Sequence, residues 1–123
     1  MPDKIRTFTD LIAWKEAHKL AIVIYKSTDD FPINEKYSLI DQMRRAAVSI
    51  SSNIAEGFSR QTNKEKIQFY YIAKGSLTEL QNQLLLSRDV NYIDKSLFTE
   101  IAEQTILADK LLMGLIKSLK NKS

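Results

Sequence analysis

Apolar side chains return along this chain at steps of three and four residues through four long stretches, the spacing that lays one face of an α-helix against a core. In the first stretch, about 9–28, Ala13, Ala17, Leu20 and Ile24 carry the stripe, and Phe8, Leu11, Trp14 and Ala21 widen it. Thr9 or Asp10 is placed to cap its start. Asp29-Asp30-Phe31-Pro32 breaks it, because proline cannot continue a helix. The second stretch, about 35–58, runs through Ile40, Met43, Ala47, Ile50, Ile54 and Phe58. Asn34 is a good cap for it, and Glu35 suits the positive end of the helix. Gly57, near its end, can take the left-handed conformation that stops a helix. The third, about 64–90, opens with Thr62 and Glu65 at the spacing of a capping box. Ile67, Tyr70, Ala73, Leu77, Leu80 and Leu84 form its stripe, and Asn91-Tyr92-Ile93 ends it. The fourth, about 95–120, is capped by Asp94 and carries Leu97, Ile101, Ala108, Leu111, Leu115 and Leu119, with Thr105 completing the register.

Helices of this length span roughly 30–40 Å each, and short connections fold such helices back on their neighbours. The pattern therefore predicts an all-α, antiparallel up-down four-helix bundle, one domain covering residues 1–123. Composition agrees: 3 glycines and 2 prolines are too few for several strands and tight turns. No cysteine is present, which excludes disulfides and thiolate metal sites. The charged stretch Met1 to Arg6 is not followed by an unbroken apolar run with a small-residue cleavage site. The longest apolar run, Leu20 to Tyr25, is far too short to span a bilayer. These features predict a cytoplasmic protein without a membrane partner.

The net charge of +3 is a mild excess. Lys and Arg against Asp and Glu number 5 and 5 in 1–30, 4 and 3 in 31–60, 4 and 3 in 61–92, and 5 and 4 in 93–123. With charge this even along the chain, a basic surface has to come from folding or assembly. Catalysis finds little footing. His18 is the single histidine and sits mid-helix beside Lys19, no serine lies in a nucleophile-elbow context, and Gly57 and Gly75 are isolated. A di-metal carboxylate centre needs Glu-x-x-His pairs; here His18 follows Glu16 by two residues, which puts them on different faces. An enzyme would need an unrecognised carboxylate pair such as Glu56 with Glu79. No cofactor is expected.

Three groups of residues remain as candidates. Gln42, Arg45, Ser49, Asn53 and Glu56 form a polar stripe beside the apolar stripe of the second helix, with Ala46 and Ala47 within it. Ser and Asn are weak helix formers, so a polar network at a helix or subunit contact explains them better than a solvated face does. Basic residues form the second group: Arg44 on the second helix, Arg60, Lys64 and Lys66 around the second connection, and Lys74. Gln61, Thr62 and Asn63 add hydrogen-bonding groups there, and Tyr70 and Tyr71 follow. Arg and aromatics together are the means of phosphate and base contact. The third group is Trp14, Ile22, Tyr25, Tyr71, Ile72 and Leu85, apolar residues off the main stripes of helices one and three. They are either partner surface or the edge of a wide core.

The residues Phe8, Leu11, Trp14, Ala17, Phe31-Pro32 and Tyr37-Ser38-Leu39, then Gln42, Arg44-Arg45-Ala46-Ala47, carry a further pattern. It continues through Ser49-Ile50-Ser51-Ser52-Asn53-Ile54-Ala55-Glu56-Gly57, Arg60, Lys64-Glu65, Phe69, Gly75-Ser76-Leu77 and Glu79-Leu80. This resembles the bacterial four-helix-bundle proteins encoded in intervening sequences of large-subunit ribosomal RNA genes. Their relatives include the accessory variability determinants of diversity-generating retroelements. The resemblance spans almost the whole chain; the fourth helix matches in periodicity. It implies a bundle that assembles as a ring-like homopentamer. In the retroelement branch it implies binding to nucleic acid and to a reverse transcriptase. Together the readings predict a non-enzymatic homo-oligomer that binds structured RNA through Arg44, Arg60, Lys64, Lys66 and Lys74, with Gln42, Arg45, Ser49, Asn53 and Glu56 organising helix or subunit contacts. The alternative is a protein-interaction scaffold without nucleic-acid affinity, sensitive to changes at Trp14 or Tyr71 and insensitive to salt.

Overall fold

A computed structural model of the protein describes residues 4–122, apart from the side chains of Lys36 and Tyr37. Met1, Pro2 and Asp3 of the charged N-terminus, the Tyr37 side chain of the family pattern, and Ser123 of the lysine-rich tail lie outside the described residues. Four helices account for nearly all the rest: α1 (Ile12–Thr28), α2 (Asp41–Ser59), α3 (Asn63–Asp89) and α4 (Lys95–Lys120). Each packs on its neighbours in the chain, and α1 also packs on α4, which closes an antiparallel square in which α2 and α3 are the most closely associated pair. The core joins Leu20 and Ile24 of α1, Met43, Ile50 and Ile54 of α2, Tyr70, Leu77, Leu80 and Leu84 of α3, and Ile101, Leu112 and Ile116 of α4. At one end Phe31 and Tyr92 close it, their ring centroids 5.2 Å apart.

The stripes of α1, α2 and α3 follow the sequence periodicity closely. The caps Thr62, whose Oγ1 accepts from the Glu65 N–H at 3.1 Å, and Asp94, whose carboxylate accepts from the Leu97 N–H at 2.7 Å, stand as expected. Four details differ. Asp10 does not cap α1; its carboxylate accepts the N–H groups of Arg6 and Thr7, at 2.9 and 3.0 Å, in a 3-10 turn over Phe8–Asp10, and α1 begins one turn later. Those donors hold the Asp10 carboxyl below its ordinary pKa, the Thr7 N–H contributing most. The entry to α2 is not helical from Glu35. A 3-10 turn (Ile33–Glu35) and a π turn (Lys36–Ile40) precede it. The wide turn brings the adjacent residues Leu39 and Ile40 both into the core, which one α-helical register does not favour.

Gly57 does not end α2 in a left-handed conformation; no described glycine has a positive φ. It lies inside the helix against α3, where a Cβ would stand 2.7 Å from Cε1 of Tyr70 and 3.0 Å from Cβ of Phe69. Its missing side chain admits the Tyr70 ring to the core, and α2 stops at Arg60, whose backbone is extended. On α4 the fully buried positions after Ala108 are Leu112 and Ile116, one residue round from the expected Leu111, Leu115 and Leu119, which are only partly buried. Both sets continue from Ala108 by helical steps. The second set faces the seam with α1, beside Leu11, Ile12 and Lys15.

Candidate nucleic-acid interface

Antiparallel folding sorts charge that looks even along the chain. The half of the bundle built from residues 4–19, 51–75 and 109–122 carries twelve of the 18 Lys and Arg residues and five acids. The half built from 20–50 and 76–108 carries six and nine. Contacts tie the basic half together across the chain: Ile5 and Lys15 border the same groove as Leu111 and Leu115, and Lys120 Nζ donates to the Tyr71 hydroxyl at 2.6 Å. The basic half thus gathers the N-terminal turn, the second connection and the end of α4.

Three of the five basic residues singled out from the sequence belong to this end. Lys64 is exposed in the first turn of α3. Arg60 pairs with Glu56 at 2.6 Å and lies over the Phe69 ring, 4.6 Å from its centroid. Lys66 donates to the Phe58 carbonyl at 2.6 Å and sits over the ring of the same residue at 5.1 Å. Lys74 lies near mid-bundle and is paired with Asp109 of α4 at 2.5 Å. Arg44 is at the opposite end. Its guanidinium donates to Thr28 Oγ1 (2.9 Å), the Tyr25 carbonyl (3.1 Å) and Asp29 (2.8 Å), and it lies over the Tyr25 ring, so it clamps α1 to α2. The sequence reading missed Lys4, Arg6, Lys15, Lys117, Lys120 and Lys122. Folding the charge pattern back on itself at the helix connections reveals them, whereas consecutive windows mix both ends of each helix.

The polar stripe of α2 separates into three parts. At its centre Ser49 Oγ meets Ser76 Oγ of α3 at 2.8 Å, and Asn53 Nδ2 donates to the Ser49 carbonyl and hydroxyl at 2.8 and 3.1 Å. On either side are exposed pairs within the helix, Arg45 with Asp41 at 3.0 Å and Glu56 with Arg60. Gln42 is exposed. Glu56 and Glu79 do not come together: Glu79 accepts from Gln83 at 3.2 Å, in the other half. His18 stacks on Trp14, centroids 4.7 Å apart and planes 12° apart, and Phe8 meets Trp14 edge-on at 5.3 Å.

The apolar residues off the main stripes do not form one face, because α1 and α3 stand diagonally across the bundle. Ile22, Tyr25, Tyr71, Ile72 and Leu85 are exposed, and Trp14 is partly buried. Leu85 instead joins Phe98, Ala102 and Ile106 around a shallow depression of about 160 Å³ at the α3–α4 seam. Among the described residues no group of three or more His, Asp or Glu could hold a metal ion, and no helix is long and apolar enough to cross a membrane.

The described residues thus form a four-helix bundle with cations collected at one end. Residues 9–114 match the family described as 23S rRNA-intervening sequence protein, and the chain belongs to that family. Its fold is similar to the crystal structure of a protein of unknown function from the S23 ribosomal protein family of Bacteroides thetaiotaomicron, with a TM-score of 0.76 and 25% identity over 86% of this chain and 99% of that one. Among curated proteins none matches the chain in sequence.

Proposed function

We propose that this chain is a non-catalytic, cytoplasmic RNA-binding bundle that works as a homo-oligomer and holds structured RNA against its basic end. The convergence of twelve cations and five acids on one half carries the reading. Helix dipoles account for part of it, since Lys117 and Lys120 lie in the last turn of α4. Lys15 in the first turn of α1 and Lys64 in the first turn of α3 run against the dipole, at about 0.3–1 kcal/mol each, whereas Lys66 is answered by the Phe58 carbonyl at the end of α2. Cations kept at that cost fit a polyanion. A family named for 23S rRNA fits such a partner.

Self-association supports the same end. Ile106, Ile72 and Leu86 are exposed by 62, 52 and 50%, more apolar surface than a lone bundle needs to show. The ring-like homopentamer that the resemblance implies would point like ends the same way and multiply the basic surface. A protein-docking role in place of RNA binding has one observation in its favour, the depression between Leu85 and Ile106. A partner bound there would be insensitive to salt.

The test is fluorescence anisotropy with a structured RNA across a salt series, with particle mass followed by light scattering. Affinity should fall steeply with salt, and the mass should be a multiple of 14.1 kDa. Reversing Lys64 and Lys117 to Glu should weaken binding about tenfold or more, whereas reversing Lys26 and Lys95 at the other end should change it less than about twofold. Equal losses from the two ends, or no binding at low salt, would sink the assignment.

A further inference from the structure

We propose that the basic end takes its RNA by unpaired bases, so that the ligand is a loop or single-stranded segment and not an uninterrupted duplex. The inference rests on the RNA reading above and adds a substrate class to it.

The first ground is where the aromatic rings lie. Six are in the basic half, and Tyr70 alone is buried; Phe8, Trp14, Phe58, Phe69 and Tyr71 all reach solvent. They are spread round the end from helix to helix: Phe8 and Trp14 at α1, Phe58 on α2, Phe69 and Tyr71 on α3. Four of them already carry a flat or cationic group on a face: His18 on Trp14, Lys66 on Phe58, Arg60 on Phe69 and Lys120 on Tyr71. A guanidinium laid on a ring offers its outer plane to a base while its N–H groups reach phosphate, the combination that single-strand binders use. The cation–aromatic pairs of the other half, Arg44 over Tyr25 and Arg88 over Phe98, lie within a surplus of acids.

Shape supplies the second ground. Among the described residues no helix or strand projects from this end. Helices packed 8–10 Å apart present a face about 20 Å across, which enters no groove, and the deep groove of duplex RNA is closed to side chains in any case. A duplex would offer its phosphates and the 2′-hydroxyls of its shallow groove here, and no base face. A loop would meet phosphate ligands, stacking rings and the exposed hydrogen-bonding groups of Gln61 and Thr62 at once.

The experiment compares three labelled RNAs, each of roughly 16 nucleotides per strand: an unstructured strand, a blunt duplex and a hairpin with an open loop. Anisotropy is read at one salt concentration on the assembled protein. The strand and the hairpin should bind about tenfold more tightly than the duplex, and both should quench Trp14 fluorescence more strongly than the duplex does. Tyr71→Ala should weaken strand binding several-fold and leave duplex binding unchanged, with an unaltered thermal melt showing that this exposed position is not needed for folding; Trp14→Phe, which keeps a ring, should retain affinity. Duplex binding as tight as strand binding, or a Tyr71→Ala protein that holds the strand as well as the parent does, would overturn the inference while leaving the RNA reading in place. Absence of binding by all three at low salt would overturn both.

Discussion

The two ends of this bundle differ inside as well as outside. The basic half has a surplus of cations on its surface, and among the described residues its core contains no buried Ser, Thr, Asn, Gln or charged side chain. The acidic half holds the four buried polar residues found among the described ones, Thr28, Gln83, Ser87 and Thr105. It also contains the π turn into α2 and the left-handed Asn91 (φ 64°) that closes α3, while the basic half has the 3-10 turn over Phe8–Asp10. Like charges crowded at one end repel and favour expansion. They are carried where the interior is apolar and where Gly57 makes room for the Tyr70 ring of α3. The comparison teaches that the surplus of surface charge sits over an apolar interior, and that the buried polar groups lie at the other end.

The sharpest test of the dry interior is pH. Burial pushes the Tyr70 phenol up from its ordinary value of 10.0 to about 12. The folded protein therefore holds that proton more tightly than the unfolded chain does. The stability it contributes is full below pH 10 and is lost as pH rises from 10 to 12, a loss of at most roughly 3 kcal/mol and smaller as solvent screens the hydroxyl. Urea denaturation of the parent and of Tyr70→Phe at matched pH isolates this contribution, because every other side chain is common to the two proteins. The difference between the two should open across that window. Parallel curves would mean that water reaches Tyr70 and that the two ends are not as unlike as described.

Much of this contrast was hidden in the sequence, for identifiable reasons. Helix number, order and the stripes of α1, α2 and α3 were legible because period and caps agree, as at Thr62 and Asp94. The π turn was not, since Glu35 to Ile40 reads equally well as the first turns of an ordinary helix. On α4 two leucine series diverge after Ala108, and only the position of α1 decides between Leu111 and Leu112. Gly57 looked like a stop because glycine near a helix end usually is one; its real reason, the ring of Tyr70, lies 13 residues further on in another helix. Arg44 looked free because its partners lie 15 to 19 residues back, across the first connection. The site suffered most. Its cations come from both termini and the middle of the chain, so no linear window contains them.

Glycine substitutions probe the support of the basic end directly. Gly57→Ala would add a methyl 2.7 Å from the Tyr70 ring in a closed core. The gain in helix propensity, up to about 1 kcal/mol, does not offset the strain, and the net loss should be about 1–2 kcal/mol. Gly75→Ala and Gly114→Ala meet nothing within 4 Å and should each gain roughly 0.5–1 kcal/mol. Thermal melts that place all three on the same side of the parent would break the claim that Gly57 makes room for the Tyr70 ring.

The smallest effect is expected in the acidic half, and its sign is the informative part. Gln83 is 5% exposed; its Nε2 donates to Glu79, while its Oε1 is buried with no partner among the described residues. Reversing the amide would not help, because it would turn that oxygen towards a carboxylate. A buried acceptor left unpaired costs about 1–3 kcal/mol, and the hydrogen bond to Glu79 returns about 0.5–1.5 kcal/mol. Methionine has nearly the same length and no such acceptor, so Gln83→Met should stabilise the protein by about 1 kcal/mol, seen as a higher denaturant midpoint at unchanged slope. A loss of stability instead would show that Oε1 is satisfied by ordered water held in the core. The polar interior of the acidic half would then be a built feature with a ligand of its own, and the difference between the ends would lie in hydration, not in strain.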